Sequence, residues 1–281
     1  LKILTAAIAI LFFQASLTAQ TSNNNISLSN PFFLPAEKTI FYKLGDKNIP
    51  IRILQYGNVK NIICVNLHDN ETTSVQAAMS VLEKTGGTLI KIENKQQRII
   101  RFRLKGITYS FDPNRVFSRA GIEQTLRENR RINHNVIDEV EKFAQRILQL
   151  IPDGSSCIIA LHNNTEEAFS IRSYLPGNNR EADARAVYAD SLQDVDDIAL
   201  TTDSILYQKM ADNGYNSIWQ DNEKAKKDGS LSIYYGERNK RYINIETQHG
   251  KVAQYINMLQ KLMTILADKN KELPETTDNS E

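Results

Sequence analysis

Four histidines occur in this chain of 281 residues, at positions 68, 134, 162 and 249, and two of them share one setting. His68 closes the apolar run Ile62-Ile63-Cys64-Val65-Asn66-Leu67, and His162 closes Cys157-Ile158-Ile159-Ala160-Leu161. Such runs read as buried strands. In an α/β sheet, residues just past the carboxyl ends of strands line the crevice where ligands bind, so both imidazoles are expected to face one cleft. Glu71 follows His68 by three positions, in His68-Asp69-Asn70-Glu71. At a strand-to-helix turn these positions converge, and an imidazole and a carboxylate can grip one cation. Taken alone, His-x-x-Glu is equally well a polar turn that caps the next helix. Adding His162 completes the His₂Glu set of a catalytic zinc site with a fourth position open, so Zn2+ is the expected cofactor and His68, Glu71 and His162 its expected ligands.

Two further phrases carry chemistry. In Asp112-Pro113-Asn114-Arg115 the guanidinium fork suits a two-pronged pairing with a carboxylate, and the neighbouring amide adds orientation. By itself the phrase also reads as a proline turn with surface polar residues. In Tyr242-Ile243-Asn244-Ile245-Glu246-Thr247 a carboxylate ends an apolar strand. A partly buried Glu near an activated water can act as general base and pass the proton on to a leaving nitrogen. The same Glu would also be favoured by the dipole of a helix starting near residue 251.

The ordered set resembles the zinc carboxypeptidase superfamily, above all its aspartoacylase and succinylglutamate desuccinylase branch. In that branch the second histidine sits in a Leu-His-Asn phrase, as in Leu161-His162-Asn163, and the arginine in Asp-x-Asn-Arg-x-Phe, as in Asp112-Pro113-Asn114-Arg115-Val116-Phe117. The likeness spans roughly residues 60–250. It implies zinc on His68, Glu71 and His162, a substrate carboxylate held by Asn114 and Arg115, Glu246 as general base, and a twisted mixed sheet of about eight strands. Members of the group commonly place another arginine shortly before the Asn-Arg pair to polarise the scissile carbonyl. Residues 106–111 contain none, which leaves Arg101 and Arg103 as substitutes.

These side chains have to be positioned by an α/β layer. Strand patterns are read at residues 39–42, 51–54, 62–67, 88–92, 99–104, 107–111, 157–161, 217–219, 231–235 and 242–245. Helical spacing is read at 75–84, 123–150, 203–213 and 251–268. Strands alternating with helices predict a central sheet flanked by helices, and the early pairs of short strands predict that it is mixed. Asp190, Asp194, Asp196 and Asp197 lack the spacing of a calcium loop and read as a solvated acidic loop. His134 reads as solvent-facing in its helix, and paired Tyr234 and Tyr235 as strand packing.

Composition narrows the classes. With 34 Lys+Arg against 33 Asp+Glu, the net charge of +1 offers no field for a nucleic-acid partner. Residues 1–19, with Lys2 ahead of an apolar run and Leu17-Thr18-Ala19 behind it, read as a secretory signal peptide. Residues 20–32 then form a polar lead-in, 33–270 a single hydrolase-like domain and 271–281 a disordered tail. No later stretch is long and apolar enough to span a membrane. Cys64 and Cys157 lie in strand-like runs and read as buried free thiols, since no paired Cys-x-x-Cys spacing supports a cysteine zinc site.

The resulting expectation is a secreted or periplasmic zinc hydrolase that cleaves an amide bond next to a free carboxylate. Its substrates would be small peptides, including cell-wall peptides, in a carboxypeptidase-like reaction. The alternatives are a deacylase of N-acyl amino acids and a binding module that kept the metal cleft without turnover.

Overall fold

A computed structural model describes residues 32–127, 132–165 and 169–269. The expected signal peptide, residues 20–31 of the lead-in and the tail at 271–281 lie outside the described residues. The described chain opens with an antiparallel hairpin of β1 (Pro35–Leu44) and β2 (Lys47–Tyr56), turned at Gly45, whose φ of 56° suits a residue without a Cβ. Next come β3 (Ile62–Asn66), α1 (Thr72–Thr85), β4 (Gly87–Ile92), and the separate hairpin of β5 (Ile100–Leu104) and β6 (Ile107–Phe111). Helices α2 (Arg119–Leu126) and α3 (His134–Gln149) follow, then β7 (Cys157–Asn164), β8 (Ala184–Tyr188) and β9 (Ile198–Thr201). The described chain closes with α4 (Ser204–Asp212), β10 (Asn216–Gln220), α5 (Leu231–Gly236), β11 (Tyr242–Gln248) and α6 (Val252–Lys269).

Among the described residues nine strands form one mixed sheet in the order β1-β2-β4-β3-β7-β11-β9-β10-β8, so the expected fold class holds, with one strand more than the likeness implied. Its centre, β4-β3-β7-β11, is parallel throughout. The carboxyl ends of β3, β7 and β11 therefore open on the same side, which is where a parallel sheet places its ligand crevice. All eight residues of β7 are buried, the mark of a strand covered on both faces.

Alternation along the strands sorts side chains into two cores. Cys157, Ile159 and Leu161 of β7, with Ile243 and Ile245 of β11, pack under α1, α4 and α6. Ile158 and Ala160, with Tyr242, pack on the opposite face with α2, α3, α5 and the small hairpin. Two-residue periodicity carries His162, Asn244 and Glu246 to that second face. Helix α3 is held there by Val136, Ile137, Val140, Phe143, Ala144 and Ile147, a stripe at helical spacing. Burial of each larger member is worth roughly 1.5–3 kcal/mol. Asn133 starts the helix by accepting the Val136 N–H on its side chain.

Cys64 and Cys157 are fully buried free thiols on neighbouring strands, as expected. The single helical stretch read at 123–150 is instead two helices, with residues 128–131 outside the described set. Residues 231–235 form helix rather than strand, because the chain turns there to bring the Leu231 N–H to Asn114 Oδ1 at 3.0 Å. Tyr234 and Tyr235 accordingly meet edge-on within a helix. The acidic stretch is not solvated at its end. Asp196 and Asp197 are buried, Gln248 donates to Asp196, and Lys251 pairs with Asp194. His134 is exposed, at the first turn of α3.

Candidate metal centre and active-site cleft

The turn after β3 builds half of the site. The Glu71 N–H donates to the His68 carbonyl at 3.0 Å, closing the turn, and Ser74 Oγ donates to the Glu71 carbonyl as α1 begins. This folds Glu71 back on His68, whose Nδ1 lies 2.9 Å from Glu71 Oε1. Glu71 Oε2 lies 2.9 Å from His162 Nδ1 on β7, and the two Nδ1 atoms are 3.4 Å apart. All three side chains are buried and their donor atoms fall within 4.8 Å of one another. Among the described residues this is the one group of His, Cys, Asp and Glu that converges in this way.

Charge balance follows from that geometry. Burial alone would push the Glu71 carboxyl up, but the two imidazoles outweigh it and bring it down to about 2. Burial likewise works against a charged His68, while Glu71 and Asp112 reverse this and raise it above its ordinary value. Asp112 Oδ1 stands 2.7 Å from His68 Nε2, the nitrogen facing away from the cluster. Its own carboxyl is held well below the usual range, since contact with His68 overcomes its burial.

Glu246 enters from the adjacent strand, where it pairs in register with His162. Its side chain is buried and Oε2 accepts from Asn244 Nδ2 at 3.1 Å. Burial, reinforced by the charge of Glu71 and opposed by His162, raises its carboxyl to about 7. A carboxyl poised there can take and return a proton near neutral pH.

Asn114 and Arg115 sit on a short turn, Pro113–Arg115, started by Asp112, which accepts the Asn114 N–H at 2.8 Å. Asn114 Nδ2 approaches His162 Nε2 at 3.5 Å. Arg115 Nη1 donates to the Asn114 carbonyl, and Nη2 lies 3.5 Å from Asp228. Close packing holds this turn, because a Cβ on Gly121 or Gly229 would fall 2.6 or 2.7 Å from the Arg115 carbonyl oxygen. Neither position has room for a larger residue.

The six expected site residues thus surround one place. Glu71, His162, Asn114, Arg115 and Glu246 line a cleft of about 490 Å³, and His68 lies beneath it. His249 also borders the cleft. Sequence reasoning missed Arg98. Its Nη1 donates to Glu71 Oε1 at 2.7 Å and its Nη2 lies 3.4 Å from Asp112 Oδ2. Arg101 and Arg103 do not take that place: both are exposed on β5, and Arg103 bonds the Gly106 carbonyl at the far turn of the hairpin. Arg180, which lies over the rings of Phe169 and Tyr174, was missed as well and lines the cleft with them.

No family model and no curated protein matches the chain. Among solved structures it is similar to the murein-tripeptide amidase of Escherichia coli O157, at 13% identity over 84% of this chain and 93% of that one, with a TM-score of 0.42. It is also similar to an aspartoacylase family protein of Mesorhizobium loti, at 12% identity over 83% and 67%, TM-score 0.42. A third is thrombin activatable fibrinolysis inhibitor, at 8% identity over 85% and 70%, TM-score 0.47. Among the described residues no helix is long and apolar enough to cross a membrane.

Proposed function

We propose that this chain is an exported zinc-dependent hydrolase that cleaves an amide bond beside a free carboxylate, carboxypeptidase-like on peptides or cell-wall peptides. The observation that carries the reading is the convergence of His68 Nδ1, His162 Nδ1 and the Glu71 carboxylate within 4.8 Å, with Glu246 in register beside His162. Two imidazole nitrogens and one carboxylate suit zinc, and the carboxylate of Asp112 on the outer nitrogen of His68 is the support such a ligand ordinarily has. Export rests on the signal-like pattern of residues 1–19.

Zinc in such a site supplies Lewis acidity and lowers the pKa of a coordinated water to near 7. The chain's own groups do the rest. Glu246, in register beside His162, takes a proton from the attacking water and returns it to the leaving nitrogen. Arg115, with Asn114 beside it, orients the carboxylate end of the substrate. Arg98 supplies a guanidinium toward the negative charge that develops on the scissile carbonyl, the task for which residues 106–111 hold no arginine.

Metal analysis combined with a hydrolysis panel tests this. Mass spectrometry of a peptide library and of N-acyl amino acids incubated with the zinc-loaded protein should show peptides shortened at their carboxyl ends. Release of acyl acids alone would replace the peptidase reading with a deacylase. Stoichiometric zinc with wild type no faster than Glu246→Gln on either panel would reject the enzyme and leave a binding module.

A further inference from the structure

The turn that carries His68 and Glu71 also carries an acid outside the donor cluster. Asp69 is buried, 7% exposed, and its partners lie on β4 and the loop that follows. Oδ1 accepts from Lys91 Nζ, and Oδ2 accepts the backbone N–H of Asn94 at 2.6 Å and of Gln96 at 2.8 Å.

That loop, residues 93–99, delivers Arg98. Its backbone is unfavourable when taken alone, because Lys95 and Gln96 adopt φ of 54° and 57°, two successive residues with side chains in the left-handed region. Such a conformation persists only where the surroundings over-determine it. Two buried clamps do so here. Asp69 ties the first half of the loop by its N–H groups. Asn94 ties the second half, with Nδ2 donating to the carbonyls of Gln97 at 3.0 Å and Ile99 at 2.9 Å and Oδ1 accepting from Lys47. From this frame Arg98 extends to Glu71 and Asp112.

We infer that Asp69 is a positioning residue for Arg98: the carboxylate between the two donor residues shapes the 93–99 loop and so sets where the guanidinium stands relative to the cluster. One four-residue turn then registers both sides of the site, the donors directly and the arginine through a loop 25–27 residues further on. The catalytic consequence rests on the hydrolase reading above, whereas the shaping of the loop does not.

The test uses Asp69→Asn in the full chain loaded with zinc. An amide carries no charge and offers a single acceptor oxygen, so hydrogen exchange at the Asn94 and Gln96 amides should speed up by about tenfold or more as that part of the loop opens locally. Unchanged exchange at both amides would overturn the inference. On a substrate that wild type cleaves, kcat should fall about 100-fold with KM nearly unaltered, the cost of a misplaced group rather than of lost binding. In an Arg98→Ala background Asp69→Asn should cost nothing further, and a full additional loss there would show that Asp69 acts by another route. Asn94→Ala, outside the donor turn, serves if Asp69→Asn does not fold. It should produce the same faster exchange across the loop and the same kcat loss, and wild-type behaviour in both would overturn the proposal. Should wild type cleave nothing, the hydrolase reading fails, while the exchange measurement still decides the role of Asp69.

Discussion

His68 Nε2 lies 2.7 Å from Asp112 Oδ1, so the ring that turns its Nδ1 toward Glu71 is gripped from behind by the residue that opens the Asn114-Arg115 turn. One side chain therefore links the donor cluster to the expected substrate clamp. A carboxylate in this position fixes the tautomer of a ligating imidazole and makes it more basic. Asp112→Asn should weaken zinc binding about 10- to 100-fold, read by competition with a chromophoric chelator. Equal affinity in mutant and wild type would remove Asp112 from the metal centre.

Glu246 sets a pH dependence of stability in the metal-free protein. Its carboxyl is raised from 4.5 to about 7 in the folded chain. Between these values the folded state keeps a proton that the unfolded state has released, so stability falls as pH rises through this window. The full change is on the order of 3 kcal/mol. Chemical denaturation of metal-free protein at pH 4.5, 6 and 8 should show that decline in wild type and a smaller one in Glu246→Gln, where His68, raised above 6.5, still contributes at the alkaline end. Parallel curves for the two would contradict the buried, raised carboxyl.

The two arginines of the cleft should separate in kinetics. Arg115→Ala removes orientation of the substrate's carboxylate end, so kcat/KM should drop for carboxylate-ended substrates and hardly change for their amidated counterparts. Arg98→Ala should lower kcat about 10²- to 10³-fold on both, as loss of a donor to a developing oxyanion does. If amidated and free substrates respond alike to Arg115→Ala, the clamp is elsewhere.

Metal should be coupled to folding. A ligand at 100 times its Kd that binds only the folded state adds about 2.7 kcal/mol, so zinc should raise the unfolding midpoint of metal-free protein, and chelation should reverse it. Glu71→Gln should abolish most of that rise, as seen by differential scanning calorimetry. A midpoint indifferent to zinc in wild type would refute the site.

Much of the cleft is legible in the chain because its residues sit at places that local patterns mark. His68, His162 and Glu246 each end or interrupt an apolar strand, and Asn114 and Arg115 follow a proline turn. Arg98 carries no such mark. It reaches the cluster only because buried Asp69 and Asn94 impose a left-handed loop, contacts that are 25 and 5 residues apart in sequence and have no periodicity. The helical residues Leu231-Ser232-Ile233-Tyr234-Tyr235 alternate as a strand would, and the contact with Asn114, 117 residues away, overrides that preference. Strand β9 escaped notice because its four residues, Ile198–Thr201, follow an acidic stretch whose burial depends on Gln248 and Lys251, both far along the chain.

The two thiols on the face away from the cleft have a practical consequence. Cys64 and Cys157 are fully enclosed, and burial pushes the Cys64 thiol up to about 12, so neither offers a thiolate to an alkylating reagent while the sheet is intact. Modification then has to wait for β3 or β7 to separate from its helices, and the pace at which iodoacetamide is consumed becomes an internal clock for opening of the central sheet.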